Sequence, residues 1–296
     1  MSTLEPVLLH SREMEPTPGW ERLLAILEGC GSAAVAFSGG VDSTLLVKAA
    51  HDVLGTRCLA VTAVSPSLAS RERDDALALA RLMGLRHVEI STNEADDPRW
   101  SGNPVNRCYA CKGHLFTELE AVRAREGLAV MAYGAIVDDL SDSRPGMLAA
   151  QQSRVRAPLL EAGMGKDEIR IASRRLRLPT WDKPALACLA SRVPHGTPIT
   201  RAMLVDVDRA EEAVHDLGFR QVRVRHHGAT ARVEVGGDEV PRALALEAEV
   251  ARAVRAAGFE DVVIDPRGYG AGRREPHAEP ARFHPAAGAA QDRGEP

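Results

Sequence analysis

A short apolar run, Ala33-Ala34-Val35-Ala36-Phe37, breaks into Ser38-Gly39-Gly40-Val41-Asp42-Ser43, and an apolar pattern resumes at once with Thr44, Leu45, Leu46 and Val47. The run has the length and composition of a buried strand. STLLVKAAHDVL (43–54) has helical spacing, and Gly55 stops it. A strand that ends in two glycines and enters a helix aims its last backbone N–H groups at one spot, where the helix N-terminus adds partial positive charge. Glycine lets the backbone come close to a ligand. Ser38, Ser43 and Thr44 add hydroxyls, and the whole is a phosphate cradle.

The same rhythm continues. CLAVTAVS (58–65), HVEIS (87–91) and LAVMAYG (128–134) are strand-like, while 17–30, 70–84 and 111–127 have helical periodicity. Strands alternating with helices predict an α/β fold, a doubly wound parallel sheet with helices on both faces. Residues 136–165 and 178–200 are loop-rich and punctuated by proline, with a short helix at 166–176 between them. Irregular stretches of such length inside a compact protein tend to carry function. After residue 200 the character changes: helix 201–217, strand 219–227, strand 230–236, helix 239–258 and strand 259–265 make a small α+β module. These shifts divide the chain into an α/β domain at 17–200, a small α+β domain at 201–267 and a loose tail at 268–296.

Composition narrows the function classes. The 296 residues are 45% hydrophobic, enough for a sizeable core, and the net charge of −4 argues against a nucleic-acid partner. Aromatics at 4% argue against a stacking platform for single strands. No apolar run approaches the roughly 18 residues of a membrane span, and the acidic N-terminus lacks the pattern of a secretory signal. The expectation is a cytoplasmic protein without a membrane partner.

Five cysteines are too few and odd in number for a disulfide framework, which leaves metal, catalysis or burial. RCYACK sets Cys108 and Cys111 at a spacing that lets both sulfurs face one metal, and Cys188 stands in KPALACLASR. Arg107 and Lys112 flank the pair, Lys183 and Arg192 flank Cys188, and nearby cations favour thiolate. Three thiolates can hold a 4Fe–4S cluster with one iron open to an outside ligand. With His114 or His195 they can hold zinc. Cys188 alone can act as nucleophile or sulfur donor. Cys30 and Cys58 read as buried thiols.

The loop lacks the lysine of a Walker motif. As Ser-Gly-Gly-x-Asp-Ser it resembles the PP-loop of the ATP pyrophosphatases, which grips the leaving pyrophosphate while a substrate oxygen attacks the α-phosphate. With NRCYACKGHLF, DDLSDSRPG, APLLEAGMGKDEIR, PTWDKPALACLASRVPHGTPIT and VRVRHHGATARVE in order, the chain resembles the LarE family of ATP-dependent sulfur transferases from about residue 20 to 272. The resemblance implies adenylylation of a carboxylate of pyridinium-3,5-biscarboxylic acid mononucleotide. Sulfur then displaces AMP, and the thiocarboxylated product becomes the nickel-pincer cofactor of lactate racemase.

It further implies ATP bound by Ser38, Gly39, Gly40, Ser43 and Thr44, with Asp42 placing Mg2+. Ser65 would lie at the adenine, Gly134 would allow close approach, and Asp138 or Asp139 would hold metal or ribose. Arg192, Arg223 and Arg225 would bind substrate phosphate or carboxylates, and Glu211 and Glu234 would bind metal or support the site. Cys188, Asp42, Lys183 and Arg192 would carry the chemistry. Some members sacrifice the sulfur of one cysteine; others carry three and use a cluster. Having Cys108, Cys111 and Cys188, this chain falls on the cluster side, with a sulfide or other sulfur donor as partner. Members tend to form homo-oligomers. The alternatives are a tRNA-thiolating enzyme with the same loop and a non-catalytic ATP- or zinc-binding module.

Overall fold

The computed structural model describes residues 8–141, 145–184 and 187–269. Thr17 caps α1 (Pro18–Cys30) by accepting from the Trp20 N–H, Pro18 opens it, and Gly31 in a left-handed conformation ends it. β1 (Ala33–Ala36), α2 (Val41–Leu54), β2 (Cys58–Val64), α3 (Ser70–Leu82) and β3 (His87–Ser91) follow in strict alternation. Next come the single turn α4 (Pro98–Ser101), the long α5 (Arg107–Arg125) and β4 (Val130–Ala132). The expected loop-rich stretch holds α6 (Pro145–Gln152), α7 (Pro158–Glu161) and α8 (Lys166–Arg175).

The first sheet has the order β3-β2-β1-β4 with every pair parallel, so the fold is α/β as the alternation predicts. Its strands sort their side chains by the period of two. Ala33, Val35, Cys58 and Ala60 face a core shared with residues of α1, α2, α3 and α8. Ala34, Leu59 and Val61 face Phe116, Leu119 and Val122 of α5 and Ala149 and Ala150 of α6. Covered on both faces, the strands read as continuous apolar runs. The chain steps from β1 through β2 to β3 and then returns to the far side of β1. Such a reversal opens a crevice at the carboxyl ends of β1 and β4.

The second sheet has the order β5-β6-β7, built from β5 (Val222–His227), β6 (Thr230–Val235) and β7 (Asp261–Ile264). Its core packs α9 (Arg201–Asp216) and α11 (Glu247–Ala256) against the strands, with α10 (Val240–Ala245) just before α11. The helix read over 239–258 is thus two helices. The same core takes Trp100, Ala110, Leu189, Ala190, Val193 and Ile199 from the chain before residue 200. Gly268 and Tyr269, assigned to the loose tail, are held: the Tyr269 N–H donates to Val235 O at 2.7 Å. The remainder of that tail, from residue 270, lies outside the described residues, as do Asp142, Ser143 and Arg144 of DDLSDSRPG and Ala185 and Leu186 of KPALACLASR. Among the described residues no helix is long and apolar enough to cross a membrane.

Candidate active site

Ser38 to Ser43 lie in the crevice where the sheet reverses. Gly39 has φ 69°, and a Cβ there would stand 3.2 Å from Ala76 on α3. Gly40 is the N-cap of α2, with no side chain closing the helix end. The Ser43 hydroxyl accepts from the Ser38 N–H at 3.2 Å and meets the Ser38 hydroxyl at 3.0 Å, which curls the loop. Gly134, just past β4, abuts the same helix end: a Cβ would stand 3.1 Å from the Ser43 amide nitrogen. Thr44 is fully buried, and among the described residues its hydroxyl has no hydrogen-bond partner. Ser65, past the end of β2, shares a 2.9 Å hydrogen bond with Ser67.

Two lysines supply the charge that the loop itself lacks. Lys166, the first residue of α8, donates its ammonium to both Asp42 carboxylate oxygens at 2.7 Å. Its backbone N–H donates to Asp138 Oδ2 at 2.9 Å, while Asp139 accepts from the Ile136 N–H. Lys166 was missed in the sequence because a lysine opening a helix looks like an exposed one. Lys183 Nζ donates to Gly39 O at 3.3 Å and pairs with Asp75 of α3 at 2.8 Å.

Lys183 also lines a cleft of about 170 Å³ with Glu72, Arg192, Glu211 and Arg223. Arg192 and Glu211 form a two-pronged ion pair, 2.8 Å on each prong, with side chains 3% and 7% exposed. Glu211 also accepts from the Val224 N–H at 2.8 Å. Arg225 donates to Ser191 O at 2.9 Å and pairs with Glu234, which Arg232 meets at 3.1 Å from the other side. Arg223 is buried. It reaches the Ser191 hydroxyl at 3.4 Å and the Tyr269 hydroxyl at 3.1 Å, and its guanidinium stacks 4.7 Å from the Tyr269 ring. Burial, reinforced by Arg192, pulls the Arg223 guanidinium below its usual value. The five predicted residues Arg192, Arg223, Arg225, Glu211 and Glu234 thus fall in one charged block, and Glu211 is engaged in orienting Arg192.

Cys108 and Cys111 stand on the first turns of α5, which begins four residues earlier than the helix read from residue 111, and Cys188 caps the turn Leu189–Arg192. The three thiols are in electrostatic range of one another: Cys111 feels Cys188 and Cys108, and Cys188 feels Cys108. Among the described residues no three His, Cys, Asp or Glu side chains converge into a ready metal cage. Contrary to the expectation from flanking cations, burial dominates. It pushes Cys111 up to about 12 against Lys112, and raises Cys188 against Arg107 and Arg192. Cys108 is exposed. His195 lies 2.7 Å from Arg107, and His114 lies 3.1 Å from Asp97. Cys30 and Cys58 are buried thiols, as read.

The glycine loop, the charged cleft and the thiols are therefore contiguous through Lys183 and the segment from Cys188 to Arg192. No family model matches the chain. It is 42% identical over 243 residues to an uncharacterized protein of Synechocystis sp., covering 81% of this chain and 91% of that one. It is 34% identical over 252 residues to the pyridinium-3,5-bisthiocarboxylic acid mononucleotide synthase of Lactiplantibacillus plantarum, covering 85% and 91%. An uncharacterized protein of Methanocaldococcus jannaschii is 24% identical over 231 residues, covering 78% and 88%.

Proposed function

The chain belongs to the LarE family, and from that premise we propose that it is an ATP-dependent sulfurtransferase. It inserts sulfur into pyridinium-3,5-biscarboxylic acid mononucleotide on the way to the nickel-pincer cofactor of lactate racemase. The observation that carries this reading is the position of Lys183, which touches the Gly39 carbonyl of the loop and lines the arginine cleft. A carboxylate held in the cleft then lies beside a nucleotide held on the loop.

The residues fit the small molecules that the reading requires. Gly39, Gly40 and Gly134 leave the helix end open to phosphate oxygens. The Lys166 ammonium stands on Asp42 and the backbone N–H of the same residue holds an Asp138 carboxylate oxygen, so Asp42, with Asp138, would hold Mg2+ once the Lys166 ammonium turns to the phosphates. Mg2+ held there would screen phosphate charge. Cys108, Cys111 and Cys188 supply three soft donors in one neighbourhood and would hold a 4Fe–4S cluster, which supplies a site for incoming sulfide.

The substrate carboxylate attacks the α-phosphate of ATP; a P–O bond forms and the bond to pyrophosphate breaks. Lys183 and the α2 N-terminus stabilise the charge that grows on the phosphates. A sulfur nucleophile brought to Cys188 then attacks the acyl carbon, and AMP leaves with its electron pair. Arg223 and Arg225 hold the remaining carboxylate and phosphate oxygens, since guanidinium forks match both groups, and Arg192, clamped by Glu211, adds its positive charge behind them. We place the catalytic α/β domain at 17–200 and the substrate-covering module at 201–267, and we assign the enzyme to the cytoplasm as a homo-oligomer.

The test is incubation of the full chain with ATP, Mg2+, sulfide and the mononucleotide. AMP and pyrophosphate should form in step with a thiocarboxylate seen by mass spectrometry. Thiocarboxylate without iron or acid-labile sulfide in anaerobically purified protein, and with dehydroalanine at Cys188, would move the sulfur source to Cys188 itself. ATP turnover that ignores the mononucleotide would refute the reading.

A further inference from the structure

Glu72 has no place in the chemistry above. It stands in the first turn of α3, one turn before Ala76, the residue that meets the Gly39 loop. It lines the cleft together with Lys183, Arg192 and Arg223. The acids around it are engaged, Asp75 by Lys183 and Glu211 by Arg192. Among the described residues Glu72 accepts no hydrogen bond and joins no ion pair. Burial raises its carboxyl above the usual range despite the pull of Arg192 and Lys183.

A bare carboxylate in this position is a puzzle for a cleft that takes an anionic ligand. The ring proposed as substrate carries two carboxylates, and Glu72 repels each of them. The ring also carries one fixed positive charge, on its quaternary nitrogen. That cation turns the encounter with Glu72 into attraction, whereas a neutral ring with the same carboxylates meets repulsion alone. A group that penalises the wrong ligand is a common way to specificity.

We propose that Glu72 is the specificity-determining residue for the cationic ring, facing the pyridinium while the arginines hold the anionic groups. The inference rests on the proposed function and deepens it. Glu72 selects N-substituted pyridinium dicarboxylates over neutral pyridine or dihydropyridine dicarboxylates.

The experiment is calorimetric titration of the full chain with two probes. One is pyridinium-3,5-biscarboxylic acid mononucleotide. The other is its borohydride-reduced dihydropyridine form, which keeps both carboxylates and the phosphate but has a neutral ring nitrogen. The unaltered chain should prefer the cationic form by about tenfold, near 1.4 kcal/mol. Glu72→Gln should abolish that preference, mainly by weakening the cationic form, and Glu72→Asp should restore part of it. Equal weakening of both forms in Glu72→Gln, or a preference left intact, overturns the inference about Glu72. If the unaltered chain binds neither form, the proposed substrate fails, and Glu72 fails with it. Thermal melts of each variant confirm that the fold is kept.

Discussion

Glu211→Ala should cost this protein more stability than any other single change in the charged cleft. Arg192 and Glu211 are almost fully buried and meet on two prongs at 2.8 Å. Removing one partner of a buried pair leaves an uncompensated charge and costs roughly 3–5 kcal/mol. The Val224 N–H loses its acceptor as well, an orphaned donor worth about 1–3 kcal/mol. Water entering the vacated space recovers some of this, so the expected loss is about 4 kcal/mol. For a chain of this size that lowers the melting point by about 6 °C. Glu211→Gln should lose less, because an amide oxygen can still accept from Val224. The double variant Arg192→Met/Glu211→Leu should recover most of the loss, since an apolar pair of similar volume replaces a desolvated ion pair. The assay is thermal and urea unfolding of all four chains under one buffer. A loss below about 1 kcal/mol for Glu211→Ala would refute the reasoning, because that is the scale of an exposed pair.

Lys183→Ala removes the group shared by loop and cleft and should lower pyrophosphate release at saturating ATP by about a hundredfold, the order seen for a lost transition-state donor; equal rates would separate loop from cleft. Gly134→Ala places a methyl 3.1 Å from the Ser43 amide nitrogen. It should weaken ATP binding, read by equilibrium dialysis, at a stability cost of about 1–3 kcal/mol. With Cys111 pushed up to about 12, its thiolate fraction at pH 8 is about a thousandfold below that of a thiol near 9. Iodoacetamide on the metal-free protein should therefore modify Cys108 first, and the Cys111 rate should climb with pH through 10 and beyond. Peptide mapping that finds Cys111 labelled as fast as Cys108 at pH 8 would contradict the burial.

The cradle was legible because its signals are local. Gly39, Gly40 and the helix start lie within a few residues, and backbone freedom and periodicity are properties of neighbours along the chain. The same holds for the alternation that yields the parallel sheet, and for Cys108 and Cys111 as a pair. The helix break near Leu246 was missed because both halves share one apolar periodicity. Tyr269 was assigned to the tail because the residues after it are rich in Gly, Ala and Pro, although it stacks on Arg223.

What the sequence by itself determined is the class of fold, the glycine turn between its first strand and the helix that follows, and the family. Each is carried by short-range pattern or by motif order. Only the tertiary structure decided which charges meet. Lys166 reaches Asp42 across 124 positions, and Lys183 reaches Gly39 across 144. Whether Arg192 is free or committed to Glu211, whether Glu72 faces a cleft or solvent, and whether burial or flanking cations govern Cys188 also depend on packing. Coulomb energy and desolvation follow distance and burial in space, and neither can be counted along a chain.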